Sequence, residues 1–223
     1  MEHVPESLQR LVAEIDGWLD LRCPDRALER LGPLLEEPKA RIVALTLRVR
    51  AYVGSKRHKE AVADIEELRL AAHDPEWLDL TEAWCRKRMQ DLPAAIGCME
   101  RVIARNGKSA IGHFNLGCYL ALAGDSERAL DEVSIACGID ASFRDMLHDE
   151  PDLDALRGDS RFQALGAKSP GIDPAEAAAE ADAFEDDLAE GFEEDLEFED
   201  EDLDDGEDDE GEDDEDDDDD PRP

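Results

Sequence analysis

Four alanines, Ala27, Ala61, Ala95 and Ala129, stand 34 residues apart in unbroken register. A fixed period of this length marks a stacked repeat, each unit one supersecondary element that cannot bury its apolar face alone. Each alanine opens an apolar pair: Ala27-Leu28, Ala61-Val62, Ala95-Ile96 and Ala129-Leu130. Four residues on come Leu31, Ile65, Met99 and Val133, and three further Leu34, Leu68, Val102 and Ala136. Spacing of i, i+4, i+7 is one face of a helix. Twelve residues before the alanines stand Ile15, Val49, Ala83 and Gly117, small or apolar in every copy. Between the runs lie breakers: Cys23-Pro24-Asp25, Gly54-Ser55, Asp91-Leu92-Pro93 and Gly124-Asp125. Asp91 and Asp125 are expected to accept hydrogen bonds from the first free N–H groups of the next helix. Pro24 and Pro93 suit a first helical turn, where a missing donor costs nothing. The spacing predicts two antiparallel helices of roughly 12–15 residues per unit. No alternating run of strand character occurs.

The unit resembles the tetratricopeptide repeat, whose pattern is W-x2-L-G-x2-Y, then A-x3-F, then P. The fullest copy, 110–143, reads Phe114-Asn115-Leu116-Gly117, Leu120, Gly124, Ala129, Val133 and Ala136. The copy at 42–75 keeps Tyr52, Ala61 and Ile65; those at 8–41 and 76–109 are weaker in their first helices, with Arg86 at the usual aromatic. Lys39, His73, Gly107 and Ala141 replace the late proline. The resemblance implies an all-α, right-handed α-solenoid of four helix-turn-helix repeats. Alanine and glycine would sit where paired helices cross closely, and the last repeat would need a cap. Residues 144–166 are expected to supply it through Met146, Leu147, Leu153, Leu156, Phe162 and Leu165. Asp149-Glu150-Pro151-Asp152, Leu156-Arg157 and Arg161-Phe162 also resemble a short extension common after such arrays. The repeat domain is accordingly read as 1–166.

Charge separates the rest of the chain. Of 61 acidic residues, 31 lie in 173–223 against a single base, Arg222. The tail, 167–223, is therefore read as acidic, low in complexity and mostly disordered, because its apolar residues are too few to offset ordering entropy. Phe184, Leu188, Phe192 and Leu196 recur every four residues within it. Acid interleaved with apolar residues is typical of segments that order on binding. Expected roles are solubility, capture of a basic partner, or folding onto the chain's own groove.

Catalytic and cofactor chemistry find no support in the motifs. Among His3, His58, His73, His113 and His148, none pairs with a His or Cys at zinc-ligand spacing. No P-loop, G-x-G-x-x-G or G-x-S-x-G occurs, and the tail glycines fit no EF-hand. Hence no catalytic residue, metal or cofactor is expected. The cysteines Cys23, Cys85, Cys98, Cys118 and Cys137 are odd in number and lack any C-x-x-C pair, which reads as reduced thiols in a cytoplasm. No stretch approaches the roughly 20 apolar residues of a membrane span.

In the family resembled, first helices line a groove that holds an extended peptide or a helix. Carried onto this chain, its groove positions include Arg50 in the second copy, Trp77, Leu80, Trp84, Lys87 and Arg88 in the third, and Phe114 in the fourth. Aromatic anchors with cations are what binding hot spots are made of. An apolar patch with a basic rim suits a peptide bearing apolar and acidic residues. Asp16 and Arg50 hold the ninth repeat position, so the Lys/Asn carboxylate clamp of some members is not reproduced. The expected function is a non-enzymatic adaptor of protein–protein contacts, with no direct contact to nucleic acid or membrane. The alternative is an acidic-tailed chaperone for basic clients such as histone-like or ribosomal proteins.

Overall fold

The computed structural model describes residues 4–71 and 74–167, and among these there is no strand. The acidic tail lies outside the described residues, as does any contact it makes with the groove. The first helices of the four units are α1 (Glu6–Asp20), α4 (Arg41–Gly54), α6 (Pro75–Arg88) and α8 (Ala110–Leu122). Their partners are the pair α2 (Pro24–Arg30) and α3 (Gly32–Glu36), then α5 (His58–Leu70), α7 (Leu92–Arg105) and α9 (Ser126–Ile139). Each first helix packs on its own partner, and each partner packs on the next first helix. The result is an α-solenoid. The short helices α10 (Phe143–Met146) and α11 (Ser160–Gly166) follow, with a 3-10 turn, Pro151–Leu156, between them.

The four alanines are fully buried. At Gly117 the reason is metric: a Cβ there would stand 2.6 Å from Val133 Cγ2, 3.0 Å from the Ala129 carbonyl oxygen and 3.2 Å from the Val133 nitrogen. Two backbones approach this closely only where one carries no side chain. Asp91 and Asp125 cap α7 and α9, accepting from the Ala94 and Arg128 amides.

The turns inside the repeats carry a regularity finer than the alanines. Arg22, Lys56, Gln90 and Gly124 all have positive φ, between 53° and 87°, and are spaced by 34 residues. In each turn the amide after this residue donates to the carbonyl five residues back: Cys23 to Trp18, Arg57 to Tyr52, Asp91 to Arg86 and Asp125 to Leu120. This is a Schellman ending, which favours glycine at the left-handed position. Only the last repeat places one there.

One expectation fails. The second helix of the first repeat is not continuous but breaks at Leu31 into α2 and α3. Pro33 has no N–H to return to Glu29, and its ring disfavours helical backbone at Gly32. Leu31 stays in the core, so the break leaves the stacking intact.

Gly117→Ala should cost about 1–3 kcal/mol, because neither Val133 nor the α9 backbone can retreat without moving the helix. Chemical denaturation measures this; an unchanged midpoint would place α8 and α9 further apart than described.

Candidate functional site

The first helices α1, α4 and α6 lie side by side, and a cavity of about 250 Å³ opens between them and the turns that end α1 and α4. Trp77 and Trp84 form one wall, seven residues apart on α6 and therefore on one face; Leu19, Val49 and Val53 form the other. The polar lining comprises Arg50, Thr81 and His58, with Arg22, Lys56 and Arg88 at the rim, and no carboxylate of the described residues lines the cavity. Arg88 stacks its guanidinium over Trp84 at 4.8 Å, and the His58 ring meets the same indole edge-on at 5.1 Å. Arg50 is buried, paired through its terminal nitrogens with Asp16 and, at 3.4 Å, with Asp20 on α1. Its Nε and the Thr81 Oγ1 have no hydrogen-bond partner among the described residues.

Of the seven groove residues chosen from sequence, Arg50, Trp77, Trp84 and Arg88 converge on this cavity. The other three lie elsewhere. Leu80 is half-buried between two core clusters. Phe114 is buried and packs on Phe143 at 4.8 Å. Lys87 is ion-paired with Asp152. The chain's own segment after α9 thus covers the far end of the same face. Leu147, Leu153 and Leu156 are buried with it, and Cys118 of α8 lies under Glu150 and Asp152. Burial pushes the Cys118 thiol well above its usual range and also raises Glu150. The sequence reading missed Arg22, Lys56, His58 and Thr81. Three of these sit at or beside intra-repeat turns, which a pattern based on first-helix positions does not address. The 34-residue spacing of Arg22 and Lys56 was the available signal.

A second polar cluster lies between the helices. Asp79 is fully buried on α6, yet Arg69 of α5 reaches it at 2.8 Å, Arg101 of α7 at 2.7 Å, and Arg105 closes on its other oxygen. Glu82, one turn on, takes Arg69 at 2.9 Å, Arg101 at 3.2 Å and Arg86 at 3.1 Å. Burial pushes the Asp79 carboxyl up, but the hydrogen bonds from Arg101 and Arg105 outweigh it and leave it below the ordinary range. With the Cys98 Sγ these carboxylates converge closely enough for a metal ion. The guanidinium groups already satisfy the oxygens, and burial raises Cys98 to about 11, so the thiol stays protonated at neutral pH. The cluster is an ionic bridge joining three helices.

No protein-family model matches the chain, and no curated protein does. Among solved structures it is similar to the MamA RS-1 ArsTM double mutant, at 13% identity and a TM-score of 0.59, over 74% of this chain and 97% of that one. It is also similar to YrrB, described as a TPR protein with an unusual peptide-binding site, at 16% identity and a TM-score of 0.56, over 82% of this chain and 90% of that one. The fold is that of the tetratricopeptide-repeat proteins. Among the described residues no helix is long and apolar enough to cross a membrane.

A carboxyl whose folded pKa is depressed contributes stability above its unfolded pKa and loses it as pH falls through the folded value. Asp79→Asn should therefore cost about 3 kcal/mol at pH 7. It should also flatten the fall in stability below about pH 4, where a free Asp titrates. Urea unfolding at pH 7 and pH 3 checks both. Equal losses at the two pH values would contradict the ionic bridge.

Proposed function

We propose that this protein is a non-enzymatic adaptor that holds a peptide or helix of a partner protein against its first helices. The observation that carries the reading is the cavity among α1, α4 and α6, where two tryptophans and four cationic side chains converge and no carboxylate of the described residues is in the lining. Aromatic side chains beside arginine, in a partly desolvated hollow, are the usual substance of a binding hot spot. The description of YrrB as a TPR protein with a peptide-binding site supports the same use of the fold. Arg50, Trp77, Trp84 and Arg88 are the proposed contacts. Lys87 and Phe114 extend the same face under the chain's own segment, so a partner would meet them only where that segment yields, and Leu80 packs between two core clusters. A repeat body of 1–166 would do the binding and the acidic tail would remain outside it. All five cysteines are free thiols, which suits a reducing compartment such as the cytoplasm.

The test is a photo-crosslinking amino acid in the full chain, at position 88 on the groove face or at position 59 on α5. A bound partner should crosslink from position 88 and not from 59. Equal crosslinking from both positions would remove the groove from the account.

A further inference from the structure

We infer that the outer edges of Arg69, Arg101 and Arg105 form a binding site for a phosphate group, either free phosphate or a phosphate monoester carried by another molecule. The site stands apart from the groove. Asp79 and Glu82, which anchor it, lie roughly half a turn round α6 from Trp77 and Trp84. The inference is therefore independent of the groove reading.

Charge comes first. Arg69, Arg101 and Arg105 converge on Asp79, and Glu82 shares Arg69 and Arg101. The fourth guanidinium on these carboxylates, Arg86, has Asp91 at 3.3 Å and Glu66 at 3.9 Å as acids of its own. Among the described residues, three cations thus rest on two carboxylates, and one positive charge is left over. Placement comes next. Arg69 Nη2 and Arg101 Nη2 both reach the same two oxygens, Asp79 Oδ1 and Glu82 Oε2, so these two guanidinium groups stand side by side. Arg105 is fixed on the other Asp79 oxygen and on the Pro75 carbonyl, at 2.9 Å. Asp79 is fully buried, so the three side chains are tethered from inside the fold. Ordering long side chains is a usual cost of binding, and here it precedes the ligand.

Hydrogen-bonding capacity then selects the ligand. Each of the three arginines uses its Nη2 on the hub, and Arg101 uses its Nε as well. Among the described residues no Nη1 of the three donates a hydrogen bond, nor does the Nε of Arg69 or Arg105. The side chains are 34%, 46% and 38% exposed, so these edges can be reached from water. A guanidinium only donates, and the hub oxygens are already taken, so the free edges call for an acceptor from outside. A carboxylate would bring one charge and two oxygens. A phosphate monoester brings close to two charges and three acceptor oxygens, and the planar arginine fork matches it bidentately. Three forks held together on a hub of excess positive charge fit the phosphate better.

The probe is inorganic phosphate, added to the full chain and compared with sodium chloride at equal ionic strength. Arginines are footprinted with phenylglyoxal and mapped by mass spectrometry. Phosphate should slow modification of Arg69, Arg101 and Arg105 several-fold. It should leave Arg30, an exposed arginine paired with Glu14 on α1, unchanged. Calorimetry with a blocked alanine-rich peptide carrying a central phosphoserine, against its unphosphorylated twin, then separates the sources. Affinity for the phosphopeptide on the order of tenfold above that for inorganic phosphate assigns the site to a modified protein; equal affinities assign it to the free anion. Arg69→Gln and Arg105→Gln should each weaken phosphate binding on the order of tenfold through loss of a charge-assisted pair, whereas Arg30→Gln should not. Circular dichroism melts separate lost binding from lost fold, and the footprint of the unaltered chain needs no variant. Equal modification rates in phosphate and chloride would overturn the proposal. So would undiminished phosphate binding by the two folded hub variants.

Discussion

The close approach of two paired helices at one small residue, repeated every 34 positions, is the constraint on which the rest depends. Ala27, Ala61, Ala95 and Ala129 are fully buried, and at Gly117 the backbones come too near for even a methyl group. Interiors pack at crystal-like density, so a crossing this tight fixes the angle of each pair. Pairs built on the same period then stack in succession, and equivalent positions of successive first helices fall in rows. The tryptophans of α6 and Arg50 of α4 meet because of that alignment, although they are distant in sequence. The buried Asp79 bridge reinforces it by tying α5, α6 and α7 together.

The turns show how a structural requirement serves the site. Each first helix ends with a left-handed residue, where glycine is easiest and any other side chain costs on the order of 1–2 kcal/mol. Gly124 meets that requirement in the last repeat, whereas Arg22, Lys56 and Gln90 hold it elsewhere. Arg22 and Lys56 both line the cavity; Gln90 and Gly124 do not. The turn therefore delivers positive charge to the cavity rim at two of its four occurrences.

Much of the fold was legible because it is periodic. The alanine register, the apolar stripes and the caps Asp91 and Asp125 all express local rules, and the helices obey them. The break at Pro33 follows from the same rules but was hidden by an otherwise intact stripe of Ala27, Leu31 and Leu34. The candidate site was only partly legible. Groove positions placed Trp77, Trp84, Arg50 and Arg88 together, since those depend on first helices alone. Thr81, His58 and the two turn cations depend on how one repeat leans on the next, and a repeat pattern holds no such information. Nor could sequence say that Phe114 and Lys87 would be taken up by Phe143 and Asp152, because that contact joins residues outside the repeat to residues within it.

The groove face is thus divided. Its far end is covered by the segment that follows α9, whereas among the described residues no segment covers its near end at the cavity. Cys118 reports on the division directly, because it lies on α8 beneath Glu150 and Asp152 and is buried by them. Alkylation of the native full chain, mapped cysteine by cysteine by mass spectrometry, would decide it. The account predicts that Cys23, partly exposed at the end of α1, reacts while Cys118 stays protected. Cys118 labelled as fast as Cys23 in a folded chain would contradict it.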